Sequence, residues 1–117
     1  MRIERADPRA AKGWYAGPWN SDLAVSIGYA NEGIDEPHTH AQITEIYLVA
    51  RGTSQLRVEQ ETVFLEPGDV IVIEPGEAHT FLSSSSDYFH FVAHVPGLTG
   101  AEARDDKERV ARPRLGL

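Results

Sequence analysis

The stretch HTHAQITEIYLVARG, residues 38–52, combines two histidines and one glutamate with a run of β-branched and aromatic residues. Alternate residues of a strand point to the same face, so His38 and His40 present two imidazoles on one side. Glu45 follows closely enough for a small bend after His40 to return its carboxylate to the same cavity. This stretch therefore predicts a pair of histidine ligands and a nearby carboxylate, followed by a partly buried strand.

A second stretch, PGEAH at residues 75–79, places another histidine directly after a tight turn. Antiparallel pairing of the strands would bring this imidazole beside the first three candidates. Three neutral imidazole nitrogens and one carboxylate oxygen suit borderline divalent ions such as Zn, Ni, Fe, Cu or Mn. The sequence therefore predicts a transition-metal site, of open metal identity, whose ligands are His38, His40, Glu45 and His79.

Short strands separated by turns account for nearly all of residues 21–97. The helical period is missing there, whereas alternating or continuous apolar runs recur between Gly- and Pro-containing turns. The predicted strands cover residues 21–30, 43–50, 54–58, 63–65, 70–73, 79–82 and 88–95. Short strands at this spacing predict an all-β sandwich or barrel.

The two histidine-bearing stretches resemble the two sequence motifs of the cupin family. Residues 38–52 fit the first motif, which is HxH, four residues, Glu, six residues and Gly; residues 68–79, GDVIVIEPGEAH, resemble the second. The resemblance implies a double-stranded β-helix, the cupin jelly-roll barrel, with a divalent metal on His38, His40, Glu45 and His79.

Three segments are expected on this basis. Residues 1–20 form an irregular segment that packs on the barrel or on a partner subunit, residues 21–97 form the barrel, and residues 98–117 form a charged tail or a short helix. The alternation of Leu23, Val25 and Ile27 predicts a strand with one apolar face. That face, together with Trp14 and Trp19, is more than a small monomer readily covers, which favours a homodimer.

Charge and composition limit the partners of this 117-residue chain. Its net charge is −7, it has no cysteine, and residues 13–103 contain thirteen acidic residues but only two basic ones, Arg51 and Arg57. Such a body disfavours nucleic-acid binding, which depends on clustered Lys and Arg. The charged N-terminus and the lack of a long apolar run predict a cytoplasmic protein without membrane association, whose partner is a small-molecule ligand.

Alternation along the strands also predicts the cavity wall. Tyr47 should point the same way as Glu45, and Phe81 the same way as His79, which makes both candidate substrate contacts. Arg57 is a third candidate, although its strand allows either Gln55 and Arg57 or Leu56 and Val58 on the cavity side. Because Arg51 and Arg57 are the only bases of the body, a largely apolar oxo compound suits the cavity better than a sugar phosphate.

The predicted chemistry is that of a metalloenzyme, either a dioxygenase or an isomerase, acting on a small oxo, enediol or aromatic compound. Glu45 is the candidate catalytic residue, as a ligand or as a base. His90 and His94 match no ligand position and are expected to be structural or exposed. The alternative is a non-catalytic binding or sensing module, because one barrel can host many functions.

Overall fold

Ten strands form two five-stranded antiparallel sheets in the computed structural model, which describes residues 1–117. The strands are β1 (Lys12–Ala16), β2 (Ser26–Ala30), β3 (His38–His40), β4 (Thr44–Arg51), β5 (Ser54–Val58), β6 (Glu61–Leu65), β7 (Val70–Ile73), β8 (His79–Ser84), β9 (Phe89–Val95) and β10 (Lys107–Arg109). The first sheet has the order β1-β2-β9-β4-β7 and the second has the order β10-β3-β8-β5-β6. This arrangement confirms the predicted all-β, double-stranded β-helix.

The core lies between the two sheets and draws on both. Tyr47 and Ile73 enter it from the first sheet, whereas Leu56 and Phe81 enter it from the second. Each of these side chains is buried. Because alternate residues of a strand face opposite ways, burial of Leu56 turns Arg57 to the outside of the barrel.

The strand predicted at residues 21–30 is shorter than expected, and Ile27 of its apolar face is exposed. β2 begins only at Ser26, and Ile27 points outward with 37% of its surface exposed. The inner side of the strand at Gly28 is covered by the indole of Trp14. A Cβ at Gly28 would be 2.7 Å from the Trp14 ring. The Trp14 ring therefore fills the space next to Gly28 on the inner side of β2.

The N-terminal segment is not irregular throughout. Residues Lys12–Ala16 form β1, which pairs with β2 in the register Lys12↔Ala30 to Ala16↔Ile27 with one irregularity. This corrects the expectation of an irregular segment, because hydrogen bonding to an available strand edge determines the conformation here rather than local propensity.

The C-terminal segment is folded against the barrel. Helix α1 (Gly100–Asp106) is followed by β10, which pairs with β3, and by a 3-10 helix over Arg112–Leu115. The Leu115 side chain is fully buried, and the Arg57 Nε donates a hydrogen bond of 2.8 Å to the Leu115 carbonyl oxygen. This segment covers part of the outer face of the second sheet. Neither helix has the length and apolar composition needed to cross a lipid bilayer.

The outer face of the first sheet is apolar and open. Its exposed side chains come from three neighbouring strands and β2, and they are Ile27, Leu48, Val70, Val72, Phe91 and Val95. Cross-strand partners such as Leu48 and Phe91 share this face through the β4–β9 register. We call this group of six residues the open sheet face.

Candidate metal centre

Strand pairing brings the four predicted ligands together. His38 lies directly opposite His79 in the β3–β8 pair, so the two motifs meet within the second sheet. Glu45 reaches them from β4 of the first sheet. One donor atom from each of His38, His40, Glu45 and His79 lies within 4.8 Å of the others, a group that could bind a metal ion.

The histidine rings are oriented by acceptors behind them. The Nδ1 of His38 donates to the carbonyl oxygen of Glu36 over 2.6 Å, and the Nδ1 of His79 donates to that of Glu77 over 3.1 Å. These hydrogen bonds fix the tautomer and leave each Nε2 lone pair free. Metal-binding histidines in proteins are usually held in this way, by an acceptor on the ring nitrogen that does not bind the metal.

His40 is oriented by a carboxylate from the C-terminal segment. Its Nδ1 lies 3.4 Å from Asp106 Oδ2, an electrostatic contact that is too long for a well-formed hydrogen bond. Asp106 is itself buried and accepts the backbone N–H groups of Gln42 over 2.8 Å and Ile43 over 3.3 Å. The end of α1 is therefore tied to the turn between the HxH pair and Glu45.

Three buried ring nitrogens of the cluster have no hydrogen-bond partner: His40 Nδ1, His40 Nε2 and His79 Nε2. The two Nε2 atoms lie 2.8 Å and 3.5 Å from the two oxygens of Glu45 without hydrogen-bonding geometry. Buried polar atoms without partners are rare in folded proteins. A divalent cation would satisfy both lone pairs and the carboxylate together, so these residues fit the metal that the sequence predicts.

Electrostatics keeps the donors in their binding forms. Burial acts to raise the pKa of Glu45, but the neighbouring imidazoles of His40, His79 and His94 hold that pKa well below its usual value. Burial lowers the pKa of His38 to about 4. At neutral pH, Glu45 is therefore ionised and His38 is neutral, as metal coordination requires.

A cavity of about 460 Å³ leads from solvent to the cluster. Tyr47 and Phe81 line it, as the strand alternation predicted for these two residues. Arg57 does not line it: its guanidinium binds Leu115 and Thr62 on the outer face of the second sheet. This corrects the assignment of Arg57 to the substrate site, and the physical reason is that Leu56 takes the inward position of β5.

Sequence reasoning missed three residues of the centre. His94 Nε2 lies 2.9 Å from Glu45 Oε2, and His90, a buried residue, lines the cavity and contacts the Tyr88 hydroxyl through Nδ1 at 2.8 Å. Both histidines share the inward face of β9, so their spacing of four residues carried a usable signal. Asp106 carried none, because nothing in the sequence places α1 beneath His40.

Comparisons with known proteins agree with this architecture. The family model described as the Cupin domain matches residues 27–95. A variant of Streptomyces PAC13 with uridine superposes with a TM-score of 0.68 at 14% identity, covering 92% of this chain and 84% of that one. KdgF from Halomonas sp. gives 0.64 at 19% identity over 82% and 90% of the two chains. A cupin protein from Bacteroides fragilis gives 0.63 at 20% identity over 80% of each. No curated protein matches the chain.

The identities are low, so the solved structures establish the fold alone. The family model, however, covers more than half of the chain and includes both motifs and all four candidate ligands. Sequence match, sheet topology and the histidine–glutamate cluster agree, and the chain belongs to the cupin family.

Proposed function

We propose that this cupin binds a divalent transition metal at His38, His40, Glu45 and His79 and catalyses an isomerase-type proton transfer next to a carbonyl group of a small molecule. The observation that carries the proposal is the environment of the Glu45 carboxylate. It is buried at the inner end of an open cavity, and its oxygens face three imidazole Nε2 atoms and the Tyr47 hydroxyl. A carboxylate in this setting can bind a cation and can also accept a proton from a substrate.

The proposed reaction uses an α-hydroxyketone as its simplest substrate. A divalent ion at this site would polarise the carbonyl oxygen and make the neighbouring C–H bond more acidic. Glu45 takes that proton, and the electrons of the C–H bond move towards the carbonyl oxygen to give an enediolate that keeps one hydroxyl proton. Glu45 then returns the proton to the former carbonyl carbon, while Tyr47 transfers the hydroxyl proton between the two substrate oxygens. No oxidant is consumed and all atoms are retained.

His94 has a positioning role in this scheme. Its Nε2 donates to Glu45 Oε2 over 2.9 Å, and the Trp14 ring packs against its imidazole with centroids 4.8 Å apart. The contact holds the carboxylate towards the cavity and stabilises its ionised form. Pac13, a protein of similar fold, is a nucleoside dehydratase. That relative supports the proposal only in showing that the barrel hosts chemistry on small molecules without net oxidation.

The test combines metal analysis with hydrogen exchange. Purified protein is assayed for bound metal and then incubated with α-hydroxyketones in deuterated water, with the carbon-bound deuterium followed by NMR. We expect incorporation that is abolished in Glu45→Gln and retained in Glu61→Gln, a matched change at an exposed position on β6. His79→Ala should lose the metal, because it removes the one ligand from the second motif.

Three results would contradict the proposal. Oxygen uptake with cleavage of the substrate would indicate dioxygenase chemistry instead. Saturable binding without exchange would indicate a non-catalytic binding module. Full metal occupancy in His79→Ala would refute the ligand assignment itself.

The same proposal includes a homodimer formed through the open sheet face. Six large apolar side chains are exposed there. Contiguous apolar patches of this kind usually mark an interface. A dimer mass by sedimentation, lost in Leu48→Glu but not in Thr62→Glu on the other sheet, would support it; a monomeric wild type would refute it.

A further inference from the structure

The mouth of the cavity is built by segments that lie outside the centre of the barrel. Strand β1 forms one side of it, the loop between β2 and β3 forms another, and α1 with β10 forms the third. These segments contribute all the basic residues that line the cavity, namely Lys12, Arg104 and Lys107. Neither Arg51 nor Arg57, the two bases of the acidic body, lines it.

Two of the three cations are not neutralised. Lys107 Nζ forms an ion pair with Glu36, and that contact lowers the pKa of the Glu36 carboxyl. Lys12 and Arg104 are exposed and have no carboxylate within 4.0 Å. The remaining acidic residue of the mouth is Glu32, so the unpaired charges there sum to one positive charge.

We infer that the substrate carries an anionic group, a carboxylate or a phosphate, which Lys12 and Arg104 bind at the mouth of the cavity. Its oxo and hydroxyl oxygens then face the histidine–glutamate cluster at the inner end. The inference rests on the proposed function for the reacting end of the substrate. It reverses the sequence-based preference for a largely apolar oxo compound over a sugar phosphate, because that preference considered Arg51 and Arg57 alone.

Because the chain as a whole is acidic, an anionic substrate needs local positive charge at the mouth of the cavity. A protein with a net charge of −7 repels small anions at long range. Cations at the rim of a cleft reverse the local potential where the ligand enters, and low-dielectric walls concentrate the field. The guanidinium of Arg104 can additionally bind a carboxylate or phosphate with two parallel hydrogen bonds, which Lys12 supplements as a point charge.

The experiment compares ligands that differ only in the distal charge. The first pair is 2-oxoglutarate and 2-oxopentanoate, which share a 2-oxo acid and five carbons, although only the first has a distal carboxylate. The second pair is dihydroxyacetone phosphate and dihydroxyacetone. Calorimetric titrations of metal-loaded and metal-free protein give the ratio of dissociation constants within each pair. The first pair reports a carboxylate preference and the second a phosphate preference.

We expect the charged member of at least one pair to bind about tenfold more tightly, which corresponds to one charge-assisted contact. Lys12→Gln and Arg104→Gln should each reduce that ratio, and the double variant should bring it close to one. Glu32→Gln should raise it. Arg5→Gln is the matched control, because Arg5 is exposed, outside the cavity and without an ion pair, and its loss changes the net charge equally.

The outcomes separate this inference from the proposed function. Equal affinities within both pairs, or a preference that survives in the double variant, would overturn the inference even if metal and hydrogen exchange are found. A preference that depends on Lys12 and Arg104 supports it, and would do so in metal-free protein as well. Failure of the metal or exchange assays would remove the proposed function alone.

Discussion

Replacing Asp106 by Asn should weaken both the fold and the metal site. The Asp106 side chain is only 1% exposed, and its two oxygens accept the backbone N–H groups of Gln42 and Ile43 while one of them faces His40 Nδ1. An amide retains one acceptor oxygen. Its NH₂ group would therefore face either a backbone N–H group or the His40 ring nitrogen, and that donor would then have no acceptor.

The expected loss of stability follows from the one hydrogen bond that the amide cannot accept. Losing one hydrogen bond to a buried charged acceptor should lower the free energy of unfolding of the metal-free protein by about 2 kcal/mol. Metal affinity should fall as well, because His40 loses the carboxylate that orients its ring. Changes in groups behind metal-binding histidines typically weaken binding about 10- to 100-fold.

Two measurements check the Asp106 prediction. Urea unfolding gives the stability of the metal-free protein, and competition with a chromophoric chelator gives the dissociation constant for Zn²⁺. Asp105→Asn is the matched control, because Asp105 is the preceding helical residue and is exposed. If Asp106→Asn and Asp105→Asn behave alike in both assays, the contact does not orient His40 and the reasoning fails. A loss of stability without loss of affinity would also refute the role at the metal site.

Two further changes test the cavity wall and its support. Burial lowers the pKa of His90 to about 4, so between pH 6.5 and 4 the unfolded chain binds a proton that the folded chain does not. The free energy of unfolding should therefore fall as the pH falls through this range, by up to about 3 kcal/mol from His90. His90→Phe should reduce this pH dependence when stability is measured by urea unfolding. An unchanged pH dependence in the variant contradicts the burial argument. Gly33→Ala should destabilise the protein by about 1–3 kcal/mol in thermal or urea unfolding, because its Cβ would lie 2.5 Å from the Phe81 ring; wild-type stability would show that the ring moves freely.

The candidate ligand cluster could be predicted because its geometry is local to two short motifs. His38 and His40 share a strand, Glu45 follows within one bend, and a turn places His79 at the start of the paired strand. Tyr47 and Phe81 follow from the same alternation, since each lies two residues beyond a ligand. Arg57 shows the limit of that rule: its strand alternates as expected, but only the packing of Leu56 decides which set points inward.

What covers the inner side of β2 could not be predicted from alternation for a related reason. The space next to Gly28 is occupied by Trp14, which comes from a different strand. Local sequence describes which residues share a face, whereas the choice of face depends on what packs against it. The same holds for Asp106, whose position depends on the pairing of β10 with β3 across 67 residues of sequence, from His40 to Lys107.

Several residues whose positions could not be predicted from the sequence lie in the terminal segments, close to the cavity. The four candidate ligands lie within residues 27–95, the part of the chain that the cupin family model matches. Lys12, Trp14, Arg104 and Asp106 lie outside it, yet they form part of the cavity mouth, support His94 and contact His40. A barrel that supplies similar ligands to many reactions cannot by itself select a substrate. If the proposed function holds, the terminal segments contribute to ligand selection, and substitutions there should change ligand preference while the barrel and its cluster stay intact.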